Sequence, residues 1–172
     1  IFRQHFGMSE CPQPLTLLYP HEHALEGGEV SRLASCGRPT MNVRITIRDE
    51  NGDEMPAGEP GEIAIAAEGV SDVEYWNRPG LREQTVRDGW FYSGDIGRMD
   101  EAGFLYIVGR SKDMIVTGGF NVYAREVEDA LLQNYDVSDA AVVGRPDNEW
   151  GEVIVAALVM RDGTDVPVDE IK

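Results

Sequence analysis

The chain has 172 residues, enough for one ordinary domain or two small ones. Its hydrophobic content of 42% allows a core to form, but its net charge of −16 argues against nucleic-acid or anionic-membrane partners, which select basic surfaces. No apolar run approaches the ~20 residues of a membrane span and no signal peptide is visible, so we expect a cytoplasmic protein. Cys11 and Cys36 lack the spacing of a zinc site or a disulfide framework, which favours two reduced thiols.

The N-terminal part of the chain is weakly patterned. Residues 1–6 predict a short strand that leads into a Gly-Met turn and then a loop holding Ser9 and Glu10. Prolines interrupt residues 11–31, where His-Glu-His at 21–23 stands out. A His-x-His pair can bind a metal ion, but without a third ligand in view a surface loop is the better interpretation.

Two alternating stretches predict an antiparallel sheet. In residues 43–48 the aliphatic side chains are predicted to face a core, while Arg, Thr and Arg at the even positions face water. Residues 62–67 alternate again, with Ile63 and Ile65 inward, and an Asn-Gly pair at 51–52 predicts a turn between the two strands. These strands show no chemistry of their own, and the arginines indicate a solvated face rather than a phosphate site.

A second strand pair contains the most polar candidates. After a loop and a short helix at 81–86, strands are predicted at 91–99 and 104–108, joined by a turn. Such a pair would bring Asp95 and Arg110 into the same region of the sheet. The carboxylate of Asp95, with space beside Gly94, suits two neighbouring hydroxyls such as those of a ribose, and the guanidinium of Arg110 suits hydroxyls or phosphate oxygens. A turn-capping role is the alternative for Asp95.

The last third predicts a small mixed unit. Residues 114–116 predict a short buried strand, followed by a Gly-rich turn at 117–121 that lacks the Gly-Lys-Ser/Thr ending of a phosphate loop. Residues 124–134 predict an amphipathic helix whose buried face is formed by Val127, Ala130 and Leu131. The remaining predicted elements are apolar strands at 140–143 and 153–159, a loop at 144–151 in which Trp150 has a packing role, and a helix that begins at 168–171.

These motifs, in this order, resemble those of the adenylate-forming (AMP-binding) enzymes: acyl-CoA synthetases, luciferases and the adenylation domains of peptide synthetases. Residues 93–128, SGDIGRMDEAGFLYIVGRSKDMIVTGGFNVYAREVE, are similar to the family's nucleotide-binding and hinge motifs. Residues 6–10 resemble its Tyr-Gly-x-Thr-Glu motif, and residues 61–79 its Gly-Glu-Ile…Gly-Tyr-x-Asn-x-Pro segment. The resemblance extends over residues 6–159 and is specific because several motifs match at matching spacing.

The resemblance implies an α+β fold. Residues 1–110 would be the C-terminal part of the large AMP-binding domain, a small distorted antiparallel β-barrel, and residues 111–172 a truncated α+β lid domain. We expect a C-terminal fragment of a longer enzyme, with the Gly-rich phosphate loop before it and the adenylation lysine after Lys172. The isolated fragment is therefore predicted to be inactive. An uncovered barrel edge would allow a homodimer or other self-association of the fragment.

The resemblance also implies a role for each site residue. The residues implied to bind ATP or AMP are Phe6, Gly7, Met8, Ser9, Asp95, Ile107 and Arg110. Among them, the ring of Phe6 would pack on adenine, the hydroxyl of Ser9 would contact the α-phosphate, and Ile107 would form an apolar wall. Phe and Ser replace the family's usual Tyr and Thr, and both keep the required aromatic face or hydroxyl.

Three further roles follow from the same resemblance. Glu10 would help to hold Mg²⁺, an ion that often uses only one or two protein carboxylates. Lys112 would be the hinge about which the lid rotates between two states. Gly118 and Gly119 would line the coenzyme A tunnel, where glycines permit close backbone approach. The family often has Pro where this chain has Ala124, a mild departure because Pro at a first helical turn is optional.

The implied reaction joins a carboxylic acid to coenzyme A. The carboxylate would attack the α-phosphate of ATP to form an acyl-adenylate, and the thiol would then displace AMP. The motifs at 113–123 are most similar to the fatty-acyl and aryl branch. Two alternatives stay open. The first is a related enzyme, either an adenylation domain that loads a carrier-protein thiol or a luciferase-like relative. The second, from another class, is a non-catalytic β-rich binding module.

Overall fold

The computed structural model describes residues 2–11, 14–27 and 30–162. The chain divides into two compact units, residues 1–107 and 108–172. The predicted domain boundary after Arg110 lies close to this division and stays a prediction, and the predicted helix at 168–171 lies outside the described residues. No helix in the described part of the chain has the length and apolar character needed to cross a membrane.

Antiparallel strands dominate the first unit. Its elements are β1 (Thr16–Leu17), β2 (Arg38–Pro39), β3 (Arg44–Arg48), β4 (Gly61–Ala66), the helix α1 (Leu81–Thr85), β5 (Val86–Arg87), β6 (Trp90–Met99) and β7 (Leu105–Arg110), whose last residues enter the second unit. The main sheet has the order β3-β4-β6-β5, and β7 also pairs with β6. The α+β class is confirmed, and within the described residues the predicted barrel takes the form of this open sheet.

The core of the first unit follows the alternation of β3 and β4, with one correction. Ile63 and Ile65 are fully buried, as predicted, and join Ile47 and Phe91 in one apolar cluster. Thr46, predicted to face water, is only 6% exposed. The guanidinium carbons of its neighbours Arg44 and Arg48 lie 5.1 and 4.8 Å from the ring centre of Trp90. This face of β3 is therefore covered by a cation–π layer, which a period of two cannot indicate.

The predicted strand at residues 1–6 is wrong for its described part, residues 2–6, which form no regular strand. Among the described residues 2–6 only Gln4 makes a bridge, to Leu18, and the segment is held by two backbone bonds, from Leu18 N–H to Gln4 O and from Leu15 N–H to Phe6 O, and by the buried hydroxyl of Thr16. Thr16 Oγ1 accepts the Phe6 N–H at 3.1 Å and donates to Cys36 O at 2.6 Å. The hydroxyl thus adds to these backbone bonds and helps to fix the entry to residues 6–10.

The predicted surface loop at 21–23 is only partly correct. Pro20–Glu22 form a 3₁₀ turn in which Glu22 is 6% exposed and pairs with Arg38. A charge this buried requires a partner, and the sequence offers no local signal that Arg38 supplies it. No group of three metal-binding side chains occurs in the described ranges, so the His-x-His pair has no described set of further ligands.

The second unit is a four-stranded antiparallel sheet with one described α-helix. After a 3₁₀ turn at Ser111–Asp113, its elements are β8 (Met114–Thr117), β9 (Phe120–Tyr123), α2 (Ala124–Leu131), β10 (Val137–Asp147) and β11 (Gly151–Met160). The strand order is β10-β11-β8-β9. The helix is confirmed but ends at Leu131, and Ala130, predicted to be buried, is exposed because α2 packs against β10 with only part of its surface.

Two other predictions for this unit need correction. Val116, in the predicted buried strand, is 43% exposed, because successive side chains of β8 point to opposite faces of the sheet. Residues 144–151, predicted as a loop, mostly continue β10, which stays paired with β11 as far as Asp147 and Gly151. The remaining turn is held by the Asp147 carboxylate, which accepts the N–H groups of Trp150 and Glu149 at 3.0 and 2.9 Å. These bonds lower the pKa of Asp147.

Trp150 packs against the Gly-rich turn of the same unit, in agreement with its predicted packing role. The Gly118 N–H donates to Trp150 O at 2.9 Å, and a Cβ atom on Gly118 would lie 2.8 Å from Cε3 of the indole. Gly118 has a φ of +56°. Gly119 has a φ of +83°, but a Cβ there would have no neighbour within 4 Å. The two glycines therefore share a backbone requirement, and only Gly118 also has a steric one.

We predict that Gly97→Ala destabilises the chain. A Cβ on Gly97 would lie 2.8 Å from Ile63 Cδ1 and 2.9 Å from Tyr106 O, so the neighbours must move, at a cost of about 1–3 kcal/mol in the free energy of unfolding. Gly109→Ala is the matched control because it adds the same methyl to β7 with no atom within 4 Å. Denaturant and thermal unfolding followed by circular dichroism measure both. Equal midpoints for the two variants would contradict the packing argument.

We predict that Gly118→Ala costs more stability than Gly119→Ala. Both changes impose a left-handed backbone on alanine, but only the first adds a clash with the indole, worth about 1–3 kcal/mol. In a Trp150→Ala background the clash is absent, so the two glycine variants should unfold at similar denaturant concentrations. A difference that persists without the indole would show that Trp150 is not its cause.

Candidate functional site

Residues 6–10 lie along the apolar core of the first unit. Phe6 and Met8 are half-buried and pack against the cluster that contains Phe91 and Leu105, while Gly7 and Ser9 are exposed. The chain turns after Met8, whose carbonyl accepts the Cys11 N–H at 3.1 Å. Two anchored side chains therefore alternate with two positions that are open to a ligand.

Glu10 opens onto a cavity in the same unit. The cavity has a volume of about 370 Å³, and its lining includes Glu10, Asn42 and Glu68. The hydroxyl of Tyr75 donates to Glu10 Oε1 at 3.0 Å. Burial and then this hydrogen bond raise the pKa of Tyr75, since a nearby carboxylate opposes a phenolate. The bond orients Glu10, and the only sequence signal for Tyr75 as a candidate site residue is its place in the segment at 61–79 that resembles the family.

The residues around Glu10 could supply only part of a coordination shell for Mg²⁺. A half-buried carboxylate is the hard oxygen ligand that this ion prefers, and one such ligand is sufficient when phosphate oxygens complete the shell. Since the described ranges contain no group of three metal-binding side chains, Glu10 suits an ion that arrives with a nucleotide rather than a resident metal.

Asp95 lies in a bulge of β6 rather than in a regular strand. Glu62 pairs with Ile96 and Ala64 with Tyr92, so residues 93–95 lie opposite the single residue between the two β4 partners. Gly94 adopts a φ of +73°, a conformation that favours glycine. Two side chains hold this bulge: Glu62 Oε1 accepts the Gly94 N–H, and Ser93 Oγ accepts the Asp95 N–H, each at 3.1 Å. The extra residues carry Asp95 out of the pairing ladder.

Ile107 and the junction residues lie on and after β7. Ile107 is 39% exposed, which leaves an apolar surface available. Arg110 ends β7 in an extended conformation, and Lys112 is exposed in the 3₁₀ turn Ser111–Asp113. Pairing of β6 with β7 is confirmed, whereas the closeness of Asp95 to Arg110 stays a prediction because Arg110 belongs to the second unit.

The proposed tunnel glycines belong to the turn between β8 and β9. Gly118 is covered by Trp150, and Gly119 has open space beside its Cα. Glu152 on β11 also reaches this region, where its Oε2 accepts the Val116 N–H at 2.7 Å. The turn is thus attached to Trp150 by a backbone bond and a ring contact, and β8 before it is attached to β11 by a carboxylate, none of which the glycine pattern by itself predicts.

Two family models match the chain. The model of the AMP-binding enzyme matches residues 1–75, and that of the AMP-binding enzyme C-terminal domain matches residues 126–172. Together they take in more than half of the chain, and the segment between them contains the bulge with Asp95.

Curated relatives and solved structures agree with these matches. The chain is 45% identical to a medium/long-chain fatty-acid–CoA ligase of Mycobacterium tuberculosis over 94% of this chain and 27% of that protein. It is 38% identical to a feruloyl-CoA synthase of Amycolatopsis over 99% of this chain and 33% of that protein. The chain thus spans a third or less of these relatives' length.

The solved structure of the o-succinylbenzoate coenzyme A synthetase of Bacillus subtilis has the same fold. Its complex with an acyl-adenylate intermediate superposes with a TM-score of 0.82 at 33% identity, covering 98% of this chain and 33% of that one. Its complex with ATP and magnesium ion gives a TM-score of 0.77 at 34% identity, covering 92% and 31%. This chain therefore belongs to the AMP-binding, or adenylate-forming, enzyme family.

Proposed function

We propose that this chain works as the C-terminal third of an ATP-dependent ligase that joins a carboxylic acid to coenzyme A. The observation that carries the proposal is its 45% identity, over 94% of the chain, to a fatty-acid–CoA ligase. The feruloyl-CoA synthase match adds an aromatic acid, so the proposed substrate class is a fatty or aryl acid. Residues 1–110 would complete the large domain and residues 111–172 would begin the lid.

In this proposal the first unit recognises the nucleoside. The Asp95 carboxylate, raised out of the ladder by the bulge, accepts hydrogen bonds from the ribose hydroxyls, and Ile107 and Phe6 provide apolar contact. Ser9 donates its hydroxyl to the α-phosphate, beside the exposed backbone of Gly7. Arg110 adds a cation, which matters because a chain of net charge −16 otherwise repels a triphosphate.

Glu10 would hold Mg²⁺ together with phosphate oxygens, and the ion would neutralise part of the phosphate charge. Tyr75 keeps the Glu10 carboxylate in place through its hydrogen bond at 3.0 Å. The pocket for the acyl group would be formed mostly by the part of the enzyme that corresponds to the remaining length of the relatives.

The reaction has two steps. A carboxylate oxygen attacks the α-phosphorus, and the bond to pyrophosphate breaks. The coenzyme A sulfur, after losing its proton, then attacks the acyl carbon, and the bond to AMP breaks. Lys112 would be the hinge between the steps, because a solvated side chain imposes no packing on a backbone that rotates, and the turn with Gly118 and Gly119 would line the thiol path. A cytoplasmic role in fatty-acid metabolism, and self-association of the isolated chain, belong to this proposal.

We expect the full-length enzyme that carries this chain to catalyse acid-dependent exchange between ATP and pyrophosphate, and to consume coenzyme A. Exchange is measured over a panel of fatty, aromatic and amino acids, with free thiol followed in parallel. Exchange without coenzyme A use would favour a carrier-loading or luciferase-like enzyme. No exchange with any acid, together with no binding of AMP, would overturn the proposal in favour of a binding module.

We expect the 172-residue chain alone to form no AMP from ATP, acid and coenzyme A. We expect it to lack the Gly-rich phosphate loop and the adenylation lysine that the resemblance implies, and catalysis of such reactions depends on positioning and on charge stabilisation at the phosphates. The assay is AMP release, with the full-length enzyme as the positive control. Acid-dependent AMP release by the purified chain would contradict this expectation.

A further inference from the structure

We propose that Glu62 is a positioning residue for nucleotide recognition, acting on Asp95 through the bulge in β6. This inference rests on the proposed function of Asp95 as the ribose ligand. Glu62 belongs to the Gly-Glu-Ile motif at 61–63, which the sequence indicates as structural only.

The bulge contains backbone N–H groups for which the sheet offers no regular hydrogen-bond partner. Opposite residues 93–95, β4 offers a single residue between the partners of Ile96 and Tyr92. The N–H groups of the extra residues therefore have no regular ladder partner. Gly94, at a φ of +73°, has no side chain that restricts its backbone, so the bulge needs an external anchor if Asp95 is to have one orientation.

Glu62 supplies that anchor from the neighbouring strand. Its Oε1 accepts the Gly94 N–H at 3.1 Å, one residue before Asp95. The bond is charge-assisted, which makes it stronger than one to a neutral acceptor. Glu62 is half-buried, so water competes less for the carboxylate than it does at the surface.

Glu62 is itself held in place. Arg87 approaches its Oε2 at 3.7 Å, and the Arg87 guanidinium carbon lies 3.9 Å from the ring centre of the buried Tyr92. A chain of contacts therefore runs from Tyr92 through Arg87 and Glu62 to the Gly94 N–H. Tyr92 is also the last regularly paired residue of β6 before the bulge. This series of contacts therefore connects the regular part of the sheet to the bulge.

The test uses the full-length enzyme and five variants, one of which, Asp95→Ala, separates this inference from the proposed function. Glu62→Ala removes the acceptor, Glu62→Gln keeps an acceptor oxygen, and Glu62→Asp keeps the charge but withdraws it by one methylene. Glu59→Ala is the matched control, an exposed glutamate in the turn before β4. The assays give the KM for ATP, acid and coenzyme A, and the preference in kcat/KM for ATP over 2′-deoxyATP. Hydrogen exchange of the peptide spanning 90–97 follows the bulge directly.

We expect Glu62→Ala to raise the KM for ATP about tenfold, the change that corresponds to one weakened hydrogen bond, and to reduce the preference over 2′-deoxyATP by a similar factor. The KM values for acid and coenzyme A should stay unchanged, and exchange at 90–97 should accelerate. Glu62→Gln should restore most of the preference, Glu62→Asp should not, and Glu59→Ala should match the wild type.

An unchanged preference for ATP over 2′-deoxyATP in Glu62→Ala would overturn the inference, as would an equal loss for all three substrates. If Glu62→Ala fails to fold, Glu62→Asp decides by the same criterion. Asp95→Ala separates the ribose role of Asp95 from the positioning role of Glu62. If Asp95→Ala abolishes the preference for ATP while the Glu62 variants keep it, only the positioning role of Glu62 fails. If the wild type has no ligase activity, or if Asp95→Ala keeps the preference, the proposed function or its ribose site fails instead.

Discussion

The interrupted pairing of β4 with β6 is the constraint on which the first unit depends. Ile63 lies opposite the bulge and fills the core with Ile65, while the ladder is regular at Glu62 and Ile96 on one side and at Ala64 and Tyr92 on the other. Regular pairing of the whole length would return Asp95 to the ladder and shift the register beyond it by two residues. The bulge therefore lets one strand serve both the core and a polar site, and the close approach at Gly97 keeps the strands together just after it.

In the second unit, side chains outside the Gly-rich turn hold that turn in a defined position. Its Gly-rich turn needs freedom of backbone conformation, yet a free turn would have no defined position. The indole of Trp150 covers Gly118, and the Glu152 carboxylate accepts the Val116 N–H, so β11 sets the place of the turn. The Asp147 carboxylate fixes the β10–β11 turn that contains Trp150. A flexible loop held by a rigid neighbouring element is common at sites where loops bind ligands.

In the proposed enzyme, the negative net charge of this chain limits which parts of the substrates it can bind. A chain of net charge −16 suits hydroxyl recognition by Asp95 and metal binding by Glu10, and it is a poor cradle for three phosphates. This chain matches a third or less of the length of its relatives, and in the proposal most of the phosphate binding belongs to the remainder of the enzyme. Within that division the carboxylates of Glu10 and Asp95 each have an oriented environment, from Tyr75 in one case and from the bulge in the other.

The sequence by itself determined the central strands β3, β4, β6 and β7, the helix α2, the burial of Ile63 and Ile65, and the family, because alternation and ordered motifs are local patterns. Only the tertiary structure decided which polar groups are buried and what holds them. Thr46 is covered because Arg44 and Arg48 lie over Trp90, and Glu22 is buried because Arg38 reaches it across the fold. The bulge at Asp95 depends on the register of β4, and the support of Gly118 depends on a residue 32 positions later. Each of these contacts joins residues far apart in the chain, so no window of the sequence contains both partners.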